Sequence, residues 1–534
     1  MKKKLLLLLL LLVVPLLVMA CEKAPTVTKG EVIDGEIVIT YDNGETQTVG
    51  EVAEGNAPTV TKGEIVNGEI VITYSDGTTQ NLGKAETEEE KEENDNPQGL
   101  EFLEISATAY SVRAGQALSR EEIVIPATYR GKAVTQIARD GFANATNLKY
   151  IQIPASITWI GENAFSGCGK IEEVRLADLS AWCSVTLENG YSSPFAGTAK
   201  LVLNGSVLKN LTVPATVTEI GKWQFYGCVS LESFAFASGS TLTSIGKSSF
   251  SMCTSLKTAV LPTTLTALGE EAFSRCFALE SINLQDTKLT QIKSAAFYGC
   301  RSLTMITIPQ QIEWIESRAF ANCSGLTVIN YNATDAELYS DSFEGVGSSG
   351  AGVTLRVGAN VTAIPDRMFY CSSSSIGTDN KLIAVVFADN SQCTEIGKSA
   401  FNRCTALTSV NFGTNSKLIT IGDSAFDECA ALTTVNFGAN SKLSTIGQWA
   451  FSECTKLTSI TIPATVTYIS NYAFYGCTAL SSVIFANTNG WLHNYNGSVT
   501  SGTSIAAADL RNPNTAATYL ATTYTGHYWS RTVQ

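Results

Sequence analysis

The chain has 534 residues, of which 44% are hydrophobic and 16% are charged. A chain of this length is too long for one compact core, so it must form several domains or a repeat array that grows in one direction. Its formal net charge of −13, with no basic patch along the sequence, argues against a general affinity for nucleic acid.

The first twenty residues have the features of an export signal. Basic residues Lys2–Lys4 precede an apolar run from Leu5 to Met19, which is shorter than the roughly 20 residues of a membrane-spanning helix. The run ends in Val18-Met19-Ala20-Cys21, which resembles a bacterial lipobox. The resemblance implies that residues 1–20 are removed and that a lipid on Cys21 anchors the protein to a membrane. An ordinary secretory signal that contains a cysteine is the alternative.

A 33-residue repeat follows the signal. Residues 24–31 recur as residues 57–64, and each copy continues with Gly-Glu-Ile-Val-Ile-Thr-Tyr, a turn and a polar segment. The turns contain Asn-Gly in the first copy and Asp-Gly in the second, which are strong hairpin signals between alternating segments. The sequence therefore predicts two small β-hairpin repeats in residues 21–83. A solvated acidic linker is expected in residues 84–99.

A second repeat fills most of the chain. Its unit reads Leu-x-x-Ile-x-Ile-Pro, then Val-x-x-Ile, then Ala-Phe-x-x-Cys, and one copy runs from Leu457 to Cys477. Adjacent copies are offset by 23 to 25 residues. The alternating Ile positions predict a strand that ends at proline, because proline has no N–H for a ladder. We predict a repeat solenoid of about fourteen coils in residues 137–485, with a lead-in at residues 100–136 and a C-terminal cap at residues 486–534.

Stacking of the coils should produce continuous apolar columns. No coil can bury its apolar groups alone, so residues at one repeat position should lie on their counterparts in the next coil. The predicted columns contain Phe250, Phe273, Phe297, Phe320, Phe401, Phe426, Phe451, Phe474, Cys404, Cys429 and Cys454.

The repeat unit resembles the BspA-like class of bacterial leucine-rich repeats. The segments Ile123–Tyr129, Asp178–Cys183 and Asp509–Leu520 also resemble the lead-in, a variant coil and the tail of that family. The resemblance implies a leucine-rich-repeat superhelix with a β-sheet on its concave face. It also implies a surface protein that adheres to host cells, to matrix proteins such as fibronectin and fibrinogen, or to other bacteria.

The cysteines and histidines argue against catalysis and metal binding. Ten of the fourteen cysteines occupy one repeat position, where cysteine acts as a small buried hydrophobe; occasional disulfides between coils are the alternative. There is no Cys-x-x-Cys pair, and the two histidines, His493 and His527, lie outside the repeats. We therefore expect no enzyme, no metal and no cofactor. His527 with Tyr528 and Trp529 indicates a packed cap or an aromatic ligand patch.

The residues between the inward Leu and Ile positions should face outward on the concave sheet, which is the usual binding face of a solenoid. These residues are small and nearly uncharged, although Ser and Thr also suit strands for structural reasons alone. More charged residues at the same positions in the first coils, Glu173 and Arg175, form a second candidate. The predicted binding residues are Ser281, Asn283, Met305, Thr307, Asn330, Ser409, Asn411, Thr434, Asn436, Ser459 and Thr461.

These observations favour a lipid-anchored, exported, adhesin-like protein on the cell surface, with an extracellular protein as its partner. A structural or self-associating envelope protein, and a surface receptor for peptides or glycans, are the alternatives.

Overall fold

A computed structural model describes residues 27–33, 36–41, 46–51, 60–66, 69–84, 98–195, 199–339, 341–370 and 380–531. The signal peptide, Cys21 and residues 85–97 of the predicted linker lie outside the described residues. The chain divides into two units, Met1–Leu100 and Glu101–Gln534.

Each 33-residue repeat of the first unit forms a three-stranded antiparallel sheet. The first copy contains β1 (Val27–Ile33), β2 (Glu36–Tyr41) and β3 (Thr46–Glu51), and the second contains β4 (Val60–Val66), β5 (Glu69–Tyr74) and β6 (Thr79–Lys84). The predicted hairpins are β2–β3 and β5–β6. The first strand of each copy was not predicted, because its Thr-Lys-Gly-Glu segment has neither the alternation nor the residue types of a strand.

The second unit begins with a lead-in segment that starts both sheets of the solenoid. The lead-in contains β7 (Glu101–Ser106), β8 (Ala109–Arg113), a 3-10 turn (Gly115–Ser119), β9 (Glu122–Val124), β10 (Thr128–Tyr129) and β11 (Lys132–Ile137). Strand β8 pairs in parallel with β11. Strand β9 pairs in parallel with the first strand of the next coil, Tyr150–Ile153.

Each later coil contributes one strand to each of two parallel sheets. The even-numbered strands below form the long-strand sheet; the odd-numbered ones, except β17, form the short-strand sheet. Hydrogen bonding divides the long-strand sheet into segments that begin at β9, β18, β26 and β38, and the short-strand sheet into segments that begin at β7, β19, β25 and β31. In chain order they are β12 (Tyr150–Ile153), β13 (Trp159–Ile160), β14 (Glu173–Leu176), β15 (Thr186–Leu187), β16 (Lys200–Leu203), β17 (Ser206–Val207), β18 (Asn210–Val213), β19 (Glu219–Ile220), β20 (Ser233–Phe236), β21 (Ser244–Ile245), β22 (Thr258–Ala259), β23 (Ala267–Leu268), β24 (Ser281–Ile282), β25 (Gln291–Ile292), β26 (Met305–Ile308), β27 (Trp314–Ile315), β28 (Val328–Tyr331), β29 (Glu337–Leu338), β30 (Val353–Val357), β31 (Ala363–Ile364), β32 (Leu382–Phe387), β33 (Glu395–Ile396), β34 (Ser409–Asn411), β35 (Thr420–Ile421), β36 (Thr434–Asn436), β37 (Thr445–Ile446), β38 (Ser459–Ile462), β39 (Tyr468–Ile469) and β40 (Ser482–Phe485).

In both sheets, paired residues on adjacent strands are one repeat apart, so equivalent positions of successive coils lie side by side. Ile306 pairs with Ile329 and Ile460 with Val483, which aligns the inward apolar side chains of successive coils. Short helical segments interrupt this pattern at α1 (Leu179–Cys183) and at the 3-10 turns Gly190–Ser192 and Leu284–Asp286. The predicted repeat solenoid is confirmed.

The phenylalanines stack face to face in the core. The ring centroids of Phe250 and Phe273 lie 5.3 Å apart and their planes differ by 3°. Both side chains are fully buried, and equivalent stacking continues from Phe225 to Phe474. At the variant coil, the buried ring of Trp182 meets Phe195 edge to face instead, at 5.9 Å.

The segment that carries each phenylalanine is a turn whose N–H groups bond to the next coil. The N–H groups of Ser248, Phe250 and Met252 donate to the carbonyls of Glu270, Ala272 and Ser274 at 2.8 to 2.9 Å. Ser248 and Met252 have φ angles of 51° and 62°, which are in the left-handed region. This conformation costs roughly 1–2 kcal/mol per non-glycine residue, and the hydrogen bonds between coils offset that cost.

The C-terminal cap covers the last coil. It contains β41 (Trp491–Asn494), β42 (Thr503–Ser504), α2 (Ala507–Arg511), α3 (Pro513–Thr518), a π-helical turn (Tyr519–Thr523) and β43 (Tyr528–Arg531). Strand β43 pairs antiparallel with β39, which closes the edge of the short-strand sheet. Helix α3 packs on β40, and its N-cap is Asn512, whose side chain accepts hydrogen bonds from the N–H groups of Asn514 and Thr515.

Candidate binding face

The outward residues of the long-strand sheet form one continuous six-stranded surface. Strands β26, β28, β30, β32, β34 and β36 are hydrogen-bonded in that order. Their inward side chains, such as Ile306 and Ile329, are buried, whereas Met305 is 49% exposed. We call this surface the binding face and define it by its outward residues Met305, Thr307, Val328, Asn330, Thr354, Arg356, Ala384, Val386, Ser409, Asn411, Thr434 and Asn436.

The binding face brings together seven of the eleven predicted binding residues. Ser281 belongs to the segment β18–β24 and Asn283 directly follows it, whereas Ser459 and Thr461 belong to β38–β40, so none of these four lies on the six-stranded surface. The sequence alone indicated an unbroken row. The breaks do not follow coil length, because β36 and β38 start the same number of residues apart as β34 and β36, yet only β34 and β36 are hydrogen-bonded to each other.

Asn283 lies off the strand on which it was predicted. Strand β24 ends at Ile282, and Asn283 precedes the 3-10 turn Leu284–Asp286. Its Oδ1 accepts a hydrogen bond from the N–H of Leu261 at 2.6 Å, and its Nδ2 donates to the carbonyl of Leu261 at 3.1 Å. The amide therefore satisfies the backbone of the preceding coil where the sheet is interrupted, which is a structural role.

The asparagines of the binding face are also engaged within the protein. Asn436 Nδ2 donates to Asn411 Oδ1 at 3.2 Å. The Oδ1 atoms of Asn411 and Asn436 accept hydrogen bonds from the N–H groups of Gly413 and Gly438 at 3.2 and 2.9 Å. These side chains form a ladder that fixes the turn after each strand, although both remain exposed.

Arg356 lies in the middle of the binding face and was missed by the sequence analysis. In register, it stands between Asn330 and Val386, and its side chain is exposed. It is the only charged residue among the twelve that define the face. No ion pair to Arg356 is found within the described residues. In the coil before Arg356, Phe343 is followed by a glycine-rich segment and the Phe-x-x-Cys pattern is absent. The outward position of Arg356 could therefore not be predicted from the repeat pattern.

The sequence model of the BspA type leucine-rich repeat region matches residues 116–186, 202–304, 290–381 and 377–496. The chain belongs to the BspA-type leucine-rich repeat family. It is similar to a solved leucine-rich repeat protein from Bacteroides ovatus, at 24% identity over 72% of this chain and 87% of that chain, with a TM-score of 0.48.

Two further solved structures are similar to this BspA-type chain. A leucine-rich cell surface protein from Faecalibacterium prausnitzii is 22% identical over 80% of this chain and 96% of that chain, with a TM-score of 0.33. The pneumococcal vaccine antigen PcpA is 16% identical over 72% of this chain and 91% of that chain, with a TM-score of 0.33. No curated protein matches the chain.

The first coils of this BspA-type protein carry a charged cluster on a separate segment of the long-strand sheet. Arg175 Nη1 lies 2.5 Å from a carboxylate oxygen of Glu122, its Nε lies 3.1 Å from Glu173, and its guanidinium is 4.9 Å from the ring centre of Tyr150. A cleft of about 520 Å³ lies beside it and is also lined by Val207. The charges of Glu173 and Arg175, the second candidate, therefore largely compensate each other.

The two histidines meet inside the cap. The Nδ1 atoms of His493 and His527 are 2.7 Å apart, and each side chain is 8% exposed. The Tyr524 ring stacks on His493 at 4.0 Å, and the Tyr495 ring lies 3.8 Å from His527. Burial lowers the pKa of both imidazoles. Trp529 is buried beside them, so this part of the chain is packed core.

The described part of the chain contains neither a candidate metal site nor a candidate membrane-spanning helix. Across its residues, no three or more His, Cys, Asp or Glu side chains are grouped so that they could hold a metal ion. None of its helices has the length and apolar character needed to cross a membrane. All twelve described cysteines carry free thiols and are buried.

Proposed function

We propose that this BspA-type protein is a non-enzymatic scaffold on the cell surface that binds extracellular proteins of the host matrix, of host cells or of other bacteria through the binding face. The observation that carries this proposal is the six-stranded surface with one unpaired cation at its centre. Leucine-rich-repeat solenoids typically act as binding scaffolds, and an extended sheet face is their usual contact surface.

The chemistry of the binding face suits a protein partner. Val386 and Met305 are exposed apolar side chains, and Arg356 lies between them among small polar groups. Arginine and methionine are enriched at protein interfaces, where a few central residues supply most of the affinity. A face with one charge gives little long-range steering, so association should be only weakly salt-dependent.

Lipid attachment at Cys21 is part of the proposal. Many anchored copies on one cell would present the binding face repeatedly, so a modest affinity per molecule would still hold two surfaces together.

The test uses the full chain and its Arg356→Glu variant. Binding to immobilised fibronectin, fibrinogen and epithelial cells is measured at low and high salt. We expect binding by the wild type, at least a tenfold loss for Arg356→Glu, and little change with salt. Lys442→Glu, an equal change of charge at an exposed residue outside the face, is the matched control and should bind normally.

Three results would contradict the proposal. Binding that is equal in both variants would remove the binding face from the interaction. Binding that collapses at high salt would indicate a charged site elsewhere. Concentration-dependent oligomers with no binding to any of the three targets would indicate a self-associating envelope protein instead.

A further inference from the structure

The short-strand sheet is broken between β15 and β19. Strand β15 is the outermost strand of the segment that starts at β7, and β19 is the outermost strand of the segment β19–β23. No strand in the described part of the chain pairs with the outer edge of either. The break follows helix α1, which inserts a helical turn directly before β15 and changes the path of that coil.

A cleft of about 770 Å³ opens at this break. One wall is formed by residues 180–188, which include α1 and β15, and the other is formed by residues 216–223, which include β19. Val185 and Val217 are buried in these walls, whereas Thr186 and Thr218 are exposed. The cleft is therefore a groove with apolar parts in its walls and hydroxyl groups at its rim.

The backbone groups of β19 that face the cleft follow from the hydrogen bonds that β19 makes on its other side, where it pairs with β21. The carbonyls of Thr218 and Ile220 accept N–H groups of the following coil at 3.0 and 2.8 Å. In a parallel strand, alternate residues direct both of their backbone groups to the same neighbour. The N–H and C=O of Glu219 are therefore directed to the cleft, where β19 has no partner strand.

Gln224 lies behind the part of the cleft wall that Gly221 forms. Its side chain is fully buried and its Oε1 has no hydrogen-bond partner within the described residues. Oε1 lies 2.6 Å from the position that a Cβ of Gly221 would occupy, and Gly221 lines the cleft. An unpaired buried carbonyl costs about 1–3 kcal/mol. Gln224 is not among the residues that line the cleft, so this cost belongs to the packing behind its wall.

The two sides of the break are held together independently of any ligand. Trp182 Nε1 donates to the Gln224 carbonyl at 3.0 Å, and Gln224 Nε2 donates to the Trp182 carbonyl. The cleft is thus a fixed feature of the fold.

We propose that this cleft binds an extended, positively charged peptide segment of a partner protein, which adds as a strand to the outer edge of β19. An extended backbone presents donors and acceptors in the order that an edge strand requires, and strand addition is a recurring mode of peptide recognition. The rim favours a cationic segment, because Glu188 and Glu219 line it against the single cation Lys222. This site is separate from the binding face and does not depend on it.

The test uses the full chain and a phage-displayed library of random nine-residue peptides. Peptides selected on the wild type are measured by fluorescence anisotropy against Thr218→Arg and Thr186→Arg, which place charge and bulk at opposite walls. We expect enrichment of Lys and Arg in the peptides and at least tenfold weaker binding by both variants. Thr243→Arg, at the equivalent exposed position directly before β21, is the matched control, because β21 is paired with a strand on both sides; it should bind normally.

N-methylation of the selected peptide distinguishes strand addition from side-chain contacts. We expect methylation of one alternate set of amides to abolish binding and methylation of the other set to leave it intact, because only one set faces β19. The Arg356→Glu variant should bind the selected peptides normally. The test of the cleft therefore remains valid even if the binding face proves to bind no partner. The proposal is wrong if no peptide is selected, if both cleft variants bind normally, or if both methylated sets behave alike.

Discussion

The thiol of Cys276 donates a hydrogen bond to the backbone carbonyl of Phe250 in the preceding coil, with an S–O distance of 3.1 Å. The same carbonyl accepts the N–H of Cys253 at 3.1 Å, so both of its lone pairs are used. Equivalent thiol bonds recur along the column, for example from Cys300 to Phe273 and from Cys454 to Phe426. The cysteine is therefore a small apolar group that also links each coil to its neighbour.

Replacement of Cys276 should separate these two roles. We expect Cys276→Ala to destabilise the protein by about 1–2 kcal/mol, through lost packing and a lost hydrogen bond. Cys276→Ser also removes the sulfur but retains a donor, so it should be less destabilising than alanine by roughly 0.5–1 kcal/mol. The measurement is the free energy of unfolding in urea. If serine proves as harmful as alanine or worse, the column acts only through apolar packing.

Ionisation of the buried thiols should weaken the fold in alkali. Burial raises the pKa of Cys168 from its ordinary value of 9.0 to about 11, and it raises that of Cys477 to about 12. Because these folded-state pKa values lie above the unfolded ones, the unfolded chain loses its protons first as the pH rises. Stability should be constant below pH 9 and should fall between pH 9 and about 11.

The measurement is the urea midpoint as a function of pH, with Cys276→Ala as a variant that lacks one column thiol and should show a smaller decline. In the native protein at pH 8, the column thiols should resist alkylation by iodoacetamide. Rapid alkylation without unfolding would contradict the burial on which this prediction depends.

Residues in the left-handed conformation of the turns that carry the phenylalanines should tolerate replacement by glycine without loss of stability. Ala295 has a φ angle of 51°, and its N–H donates to the Ser317 carbonyl in the next coil at 2.9 Å. Glycine adopts this conformation without the steric cost of a Cβ, so Ala295→Gly should be neutral or up to about 1 kcal/mol more stable. The neighbouring Ala296 is buried and has no positive φ, so Ala296→Gly should be destabilising by about 1 kcal/mol or more. Equal losses from both substitutions, measured by thermal unfolding, would contradict the assigned turn geometry.

The repeat period was enough to predict the coils, because each inward residue recurs at a fixed spacing and the spacing fixes the register. The left-handed turns were not predictable, since bulky residues such as Trp449 and Met252 have no local preference for φ angles of 59° and 62°. Arg356 was missed because its coil has an irregular length. The contact between His493 and His527 joins two residues that are 34 positions apart in the sequence, and no local pattern encodes such a pairing.

The histidine pair predicts that the cap loosens in acid. One Nδ1–H donates to the other Nδ1, so the contact tolerates one added proton but not two, which would place two cations at a 2.7 Å separation. Burial lowers the pKa of both side chains from the ordinary value of 6.5, so their contribution to stability is present above pH 6.5 and is lost as the pH falls through the folded-state values. The groups that face the pair are the neutral rings of Tyr524 and Tyr495, with no carboxylate in contact to offset the charge in the described cap.

Amide hydrogen exchange of β41 and β43 at pH 7 and pH 5 measures this effect, after correction for the intrinsic pH dependence of exchange. We expect protection of these strands to fall at least tenfold at pH 5, while protection of β34 and β36 in the solenoid stays constant. His527→Gln cannot acquire the second charge, so it should show little difference between the two pH values, although its cap is less stable at pH 7. An equal acid response in the wild type and in His527→Gln would assign the loosening to other groups, because the repulsion depends on both imidazoles being charged at once.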